Sequence, residues 1–335
     1  MPRKARIDMS GALHHLIIRG IERKRIFRDD QDRDNFLNRL GMILVESITA
    51  CYAWALLPNH VHLLLRTGQV PLATVMGRLL TGYAVTFNQK YRRHGQLFQN
   101  RYKSILCQED SYLLELVRYI HLNPLRARMV QDYKALGQYA YCGHSVLLGN
   151  KKNSWQDMDY VLGYFGRRKG LARGKYREYV QEGISRGKRP ELVGGGLIRS
   201  LGGWKEVSGC MASGVRVKGD ERILGDGDFV MDVLKASQEE MERRYRLTAG
   251  GFNLEKLAGR VAEIFGIETK DLWLSGKYAR IVPARSVFCY WAVRELGLRE
   301  TEVARRLKLT QPAVCISVRR GEHIAKERGL DILGE

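Results

Sequence analysis

The chain has no pair of cysteines at C-x-x-C spacing; Cys51, Cys107, Cys142, Cys210, Cys289 and Cys315 are scattered along it. That removes the zinc ribbon and gives no disulfide framework, so the six are expected to stay reduced as small apolar fillers. No unbroken apolar stretch approaches the ~20 residues a membrane span requires, and the N-terminus lacks a secretory apolar region. No membrane partner is therefore expected, and the location expected is cytoplasmic. No heptad repeat decides the oligomeric state, which leaves a homodimer open. Acidic residues are also scarce: 36 Asp and Glu face 56 Lys and Arg, a formal net charge of +20 over 335 residues. Such an excess points to a polyanionic partner, because distributed Lys and Arg gain from phosphate neutralisation and counterion release.

What is present falls into three parts. Leu13 to Arg19 reads as a first strand and Asp30 to Val45 as an amphipathic helix opened by acidic residues. Thr49 to Leu57 and His60 to Arg66 read as the two strands of a hairpin around Pro58-Asn59. A helix from about Leu72 to Arg92, a strand over Tyr102 to Cys107 and a helix from Ser111 to Leu122, closed by Pro124, complete the order. The order β-α-β-β-α-β is ferredoxin-like, with one added helix carrying residues toward the sheet. This predicts an α+β domain over residues 1–150.

Residues 151–250 hold 17 of the 35 glycines, among them Gly194-Gly195-Gly196, and read as a basic glycine-rich connector with short helical patches at Tyr160 to Phe165 and Tyr176 to Gln181. It either tracks a phosphate backbone or serves as a solvated spacer. Residues 251–335 turn helical again as an all-α domain. Within them Ala304 to Arg320 has helix-turn-helix spacing, with Leu307, Leu309 and Val314 as core anchors, Thr310 as a cap and Pro312 in the first turn of the second helix. That helix would offer Gln311, Ala313 and Ser317 to a major groove and Arg319 and Arg320 to phosphates.

The most informative stretch is Asn59-His60-Val61-His62-Leu63-Leu64-Leu65. Side chains at i and i+2 leave a strand on one face, so two imidazoles can grip one divalent ion. Further on, Tyr119 and Asn123 are four apart and share a helical face, which brings a phenol and an amide into one space. Tyr112, seven residues earlier, lies on nearly the same face, and spacing does not separate the two tyrosines. A zinc hydrolase using His60, His62 and Glu109 or Glu115 fits less well, since no metalloprotease or deaminase spacing occurs.

Three ordered segments carry a family resemblance: Leu57-Pro58-Asn59-His60-Val61-His62-Leu63-Leu64-Leu65, Gly95-Gln96-Leu97-Phe98-Gln99-Asn100-Arg101-Tyr102-Lys103-Ser104 and Tyr119-Ile120-His121-Leu122-Asn123-Pro124-Leu125-Arg126-Ala127. Over about residues 8–145 the chain resembles the single-tyrosine HUH transposases, in particular their REP-associated branch. The resemblance implies binding of folded single-stranded DNA, a requirement for Mg²⁺ or Mn²⁺, and cleavage through a covalent 5′-phosphotyrosine that leaves a 3′-hydroxyl. By motif position His60 and His62 would be ligands, Tyr119 the nucleophile, and Asn123 would complete the metal site where related enzymes carry glutamine. Phe98, Arg101, Tyr102 and Lys103 are candidates for stacking and phosphate contact with the strand, and Arg126 for a further DNA contact. Residues 250–325 look more loosely like the DNA-binding domain of the initiator DnaA, which implies duplex DNA as a second partner and a nucleoid association. The competing reading is a catalytically inactive transcriptional regulator that keeps the fold as a recognition surface. His14, His15 and His121 are taken as structural or surface residues.

Overall fold

Strand formation along β1 (Leu13–Arg19), β2 (Ala50–Leu57), β3 (His60–Arg66) and β4 (Lys103–Cys107) follows their β-branched and apolar content, and all four are largely buried. They are seen in a computed structural model that describes residues 7–332 apart from 10, 69, 188, 190, 191, 194–219, 250, 275, 277 and 299. Gly194-Gly195-Gly196 and Cys210 lie outside the described residues. The sheet order is β2-β3-β1-β4-β5, where β5 (Ile223–Leu224) pairs parallel to β4 and all other pairs are antiparallel.

The helices α1 (Asp30–Ser47) and α2 (Leu72–Lys90) connect β1 to β2 and β3 to β4, and α3 (Glu109–His121) follows β4. The β-α-β-β-α-β order with an added helix is thus the observed architecture. Asp29 caps α1 by accepting from the Asp32 amide. Phe27, Phe36 and Tyr83 close the α1–α2 contact, with ring centroids 5.2–5.7 Å apart.

On the other face, Leu113, Leu116, Val117 and Ile120 give α3 an apolar stripe at i, i+3, i+4 and i+7 that buries against Leu13, Ala53, Ala55, Leu64 and Ile105. Short helices follow: α4 (Asn123–Arg126), α5 (Tyr133–Gln138), α6 (Gly143–Leu147), α7 (Met158–Gly163) and α8 (Lys169–Glu182). Residues read as connector join this core: Val161, Leu162, Ala172, Tyr176 and Val180 are fully or almost fully buried in it. Their side chains recur at helical spacing on the apolar faces of α7 and α8, which the high glycine content of the surrounding sequence obscures.

The chain divides into two compact units, Met1–Asp232 and Val233–Glu335, the division falling inside α9 (Gly227–Ala249). The second unit contains α10 (Leu254–Phe265), α11 (Thr269–Trp273), α12 (Ile281–Arg294), α13 (Glu300–Leu307) and α14 (Gln311–Glu327) around Leu257, Val261, Phe288, Trp291, Val303 and Val314. Thr310 caps α14 through the Ala313 amide, and Pro312 sits in its first turn. Among the described residues no helix is long and apolar enough to cross a membrane.

Candidate active site

The β2–β3 turn places the histidines. Leu57 pairs with His60 across Pro58-Asn59, and the chain entering α1 clamps the turn: the Ile26 amide donates to the Pro58 carbonyl at 2.8 Å and the Gly20 amide to the Asn59 carbonyl at 2.8 Å. His60 and His62 then leave β3 on one face, rings 5.2 Å apart and inclined at 75°. Across the β1–β3 ladder Arg19 pairs with His60 and Ile17 with His62, which sets His15 diagonally beside His62.

Burial, with the Arg19 charge adding to it, pushes the His60 imidazole down to about 4. Burial holds His62 well below its ordinary value too, reinforced by His15, His60 and Arg19. Both rings are therefore neutral at pH 7, the form in which imidazole ligates a cation.

The Tyr119 ring centroid lies 5.9 Å from that of His62 and 6.1 Å from that of His15. The α3 stripe explains this. With Leu116 and Ile120 in the core, Tyr119 falls at the edge of the buried face, half-buried over the strand that carries the histidines. Tyr112 also packs against the core. The ring contacts with His15 and His62 place Tyr119 at the histidine pair, which helical spacing alone does not do.

Asn123 differs from the expectation of one continuous helix. Pro124 has no N–H, so the ladder lapses after His121 and Asn123 opens the separate turn α4. Leu122 keeps right-handed helical angles, φ −84° and ψ −7°, so Asn123 still follows Tyr119 by about one turn. Asn123 is buried, and among the described residues its Nδ2 has no hydrogen-bond partner. Arg126, expected to touch DNA, sets its guanidinium 5.4 Å from the Tyr119 ring centroid and donates to the Gly183 carbonyl at 3.3 Å.

The other expected DNA contacts are dispersed. Tyr102 is buried, so its ring offers no stacking face in this structure, whereas Phe98 is half-buried with its ring 6.3 Å from Tyr83. Arg101 is exposed, and Lys103 donates to the Val193 carbonyl at 2.7 Å. In the second unit the Gln311 amide donates to Glu300 at 3.2 Å, Ser317 to the Ala313 carbonyl at 2.9 Å, and Arg320 is exposed while Arg319 is half-buried.

His14 and His121 are both buried: His14 has Nδ1 3.2 Å from the Ser104 hydroxyl, and His121 Nδ1 lies 2.7 Å from the Tyr176 hydroxyl. His15 belongs to the histidine cluster. The signal that could have found it is register: in the ferredoxin-like order β1 lies antiparallel beside β3, and only a diagonal separates His15 from His62.

Residues 8–123, which hold β1 through Asn123, match the family model described as IS200-like transposase. A solved structure of a REP-associated tyrosine transposase bound to a REP hairpin is similar over 50% of this chain and 98% of that one, with 14% identity and a TM-score of 0.37. No curated protein matches the chain. Over residues 8–123 the chain is thus similar to the IS200-like transposases.

Proposed function

We propose that this protein is a transposase that cleaves and rejoins single-stranded DNA at hairpins through a covalent 5′-phosphotyrosine on Tyr119, aided by Mg²⁺ or Mn²⁺. The observation that carries the reading is the approach of the Tyr119 ring to within 5.9 Å of the His62 ring, from a helix to a strand 57 residues away in sequence. The hairpin target rests on the resemblance of the three sequence motifs.

The residues fit a divalent ion in type and number. Among the described residues no three His, Cys, Asp or Glu cluster as a self-sufficient cage. Two neutral imidazoles, completed by the Asn123 amide oxygen and by phosphate oxygens of the substrate, match a hard cation that keeps open positions. When bound, that ion supplies charge neutralisation to the phosphate under attack.

The chain's own part is to present the nucleophile. A new bond forms between the Tyr119 hydroxyl oxygen and phosphorus while the bond from phosphorus to the 3′-oxygen breaks. The tyrosine proton is lost and one is gained by the departing 3′-oxygen, so the exchange is balanced without a co-reactant. The phosphodiester energy is conserved, and attack by a 3′-hydroxyl reverses the step. In the second unit, Gln311 and Ser317 on α14, with Arg319 and Arg320, are assigned to duplex DNA.

The test is a labelled hairpin oligonucleotide with Mn²⁺, assayed for a denaturant-resistant protein–DNA adduct. Wild type and Tyr112→Phe form it, and Tyr119→Phe binds the hairpin but forms none. Loss of the adduct in Tyr112→Phe with retention in Tyr119→Phe overturns the assignment.

A further inference from the structure

Each histidine of the pair is bonded through Nδ1 to a side chain that is itself anchored on a backbone carbonyl. His62 Nδ1 lies 2.9 Å from His15 Nε2, and His15 Nδ1 lies 3.1 Å from the Leu192 carbonyl oxygen. The His15 and His62 rings are within 25° of coplanar with centroids 5.2 Å apart, the geometry of two imidazoles joined edge to edge by N–H···N. In the same way His60 Nδ1 lies 2.7 Å from the Asn59 side-chain oxygen, while Asn59 Nδ2 donates to the Arg23 carbonyl at 3.1 Å.

A carbonyl oxygen only accepts, and that fixes the direction of both chains. The Leu192 oxygen places the ring hydrogen of a neutral His15 on Nδ1, so His15 Nε2 is an acceptor and His62 must donate from Nδ1. The Arg23 oxygen claims the Asn59 amide NH₂, so the Asn59 oxygen faces His60 and His60 must donate from Nδ1. Both histidines then carry their single hydrogen on Nδ1 and keep a lone pair on Nε2.

The geometry points to His15 and Asn59 as positioning residues: two carbonyl-anchored relays, Leu192–His15–His62 and Arg23–Asn59–His60, that lock both imidazoles in the Nδ1–H tautomer with Nε2 left to bind a cation. The inference rests on the reading of His60 and His62 as ligands. The two relays are independent in the structure: one reaches β3 from β1, the other from its own hairpin turn. Outer partners of this kind fix ring orientation and raise ligand basicity, and their loss costs about 10–100-fold in metal affinity. Locking the tautomer before the ion arrives also removes the Nε2–H form of each ring, which would have to exchange a proton first.

The experiment uses the full chain with ¹⁵N-labelled histidine and no metal, because ring-nitrogen shifts distinguish an N–H from a lone pair without reference to activity. Wild type shows Nδ1–H for both residues. His15→Leu changes the His62 signals alone and Asn59→Leu the His60 signals alone. Each lowers Mn²⁺ affinity, read by electron paramagnetic resonance, about 10–100-fold. His15→Gln restores both readouts: its amide can donate to Leu192 and accept from His62, as Asn59 does for His60.

Nε2–H signals for His60 or His62 in wild type overturn the inference, whatever the fate of the variants. So does an unchanged Mn²⁺ affinity in both Leu variants when His60→Ala and His62→Ala do lose it. If the ring signals behave as stated but His60→Ala and His62→Ala leave Mn²⁺ affinity untouched, the ligand reading falls and the tautomer relays stand.

Discussion

Arg126 lies over the Tyr119 ring, 5.4 Å from guanidinium carbon to ring centroid, seven residues further along the same polypeptide turn. Its fork also reaches the Tyr119 and Gly183 carbonyls at 3.4 and 3.3 Å, so one side chain ties the phenol to the end of α8. A partly buried cation–π contact contributes about 0.5–2 kcal/mol to holding the ring in place. Arg126→Ala is expected to slow adduct formation about tenfold, which corresponds to about 1.4 kcal/mol, while hairpin affinity changes little. Arg126→Lys recovers only part of the rate, because an ammonium cannot span both carbonyls. Single-turnover rates and filter binding separate the outcomes. A fall in affinity with no fall in rate would make Arg126 a phosphate contact instead.

The second prediction concerns acid stability. His121 and His144 both meet the Tyr176 hydroxyl at 2.7 Å, and burial pushes His144 down to about 3 and His121 well below its ordinary value. The unfolded chain binds these protons near ~6.5, before the folded chain does. The stability they contribute is therefore complete above about pH 6.5 and drains away as pH falls from there toward the folded values. Each such group adds a slope of up to about 1.4 kcal/mol per pH unit. Urea midpoints, followed through exchange protection of β3 amides, are expected to stay level from pH 7.5 to about 6.5 and to fall from there to pH 5. His144→Asn should make that slope shallower, and a midpoint independent of pH would refute the account.

How much of this was legible in the sequence differs by element. The strands β1 and β3 are read to the residue, because apolar runs bounded by Gly20 and by Pro58-Asn59 leave little freedom at their ends. By helical spacing Tyr119 was visible as one of two candidates; motif position singled it out, and the packing of Leu116 and Ile120 against the sheet sets its ring beside His62. His15 was not legible as a site residue. Its relation to His62 depends on strand register across 47 residues, and a histidine in an apolar run without a partner at i+2 is usually a core residue. The contribution of α7 and α8 was hidden for another reason: charge and glycine dominate their exposed faces, so averaged composition masks the few buried positions that matter.

Those buried positions give a third prediction. Val161, Leu162, Tyr176 and Val180 each contribute about 1.5–3 kcal/mol by leaving water. Their sum is comparable to the whole stability of a domain, about 5–15 kcal/mol. Truncation after residue 150 also removes Gln156, whose side-chain oxygen accepts from the Trp54 indole at 2.8 Å. A chain ending at residue 150 is expected to aggregate or stay unfolded, whereas one ending at Asp232 melts cooperatively. Circular dichroism melts of the two decide it, and a cooperative transition in the shorter chain counts against α7 and α8 as part of the first unit's core.

The last prediction tests the second unit on its own terms. Gly321 on α14 packs so closely on α12 that a Cβ there would lie 1.9 Å from the Ser286 carbonyl oxygen. The obstacle is backbone, so the helices must separate rather than a side chain turning aside. Overpacking of that kind costs about 1–3 kcal/mol or more. Gly321→Ala is therefore expected to loosen α14, lowering exchange protection around Val314 and Val318 while the β3 amides stay protected. If α14 supplies duplex affinity, the same variant loses binding to a hairpin-free duplex, and Arg320→Ala weakens that binding for all sequences alike while lowering its log–log salt slope by about one unit. Adduct formation on a single-stranded hairpin should survive both changes, because every residue assigned to that reaction lies before Asp232. Loss of the adduct in Gly321→Ala, with the β3 amides still protected, would show that strand cleavage needs the helical unit as well.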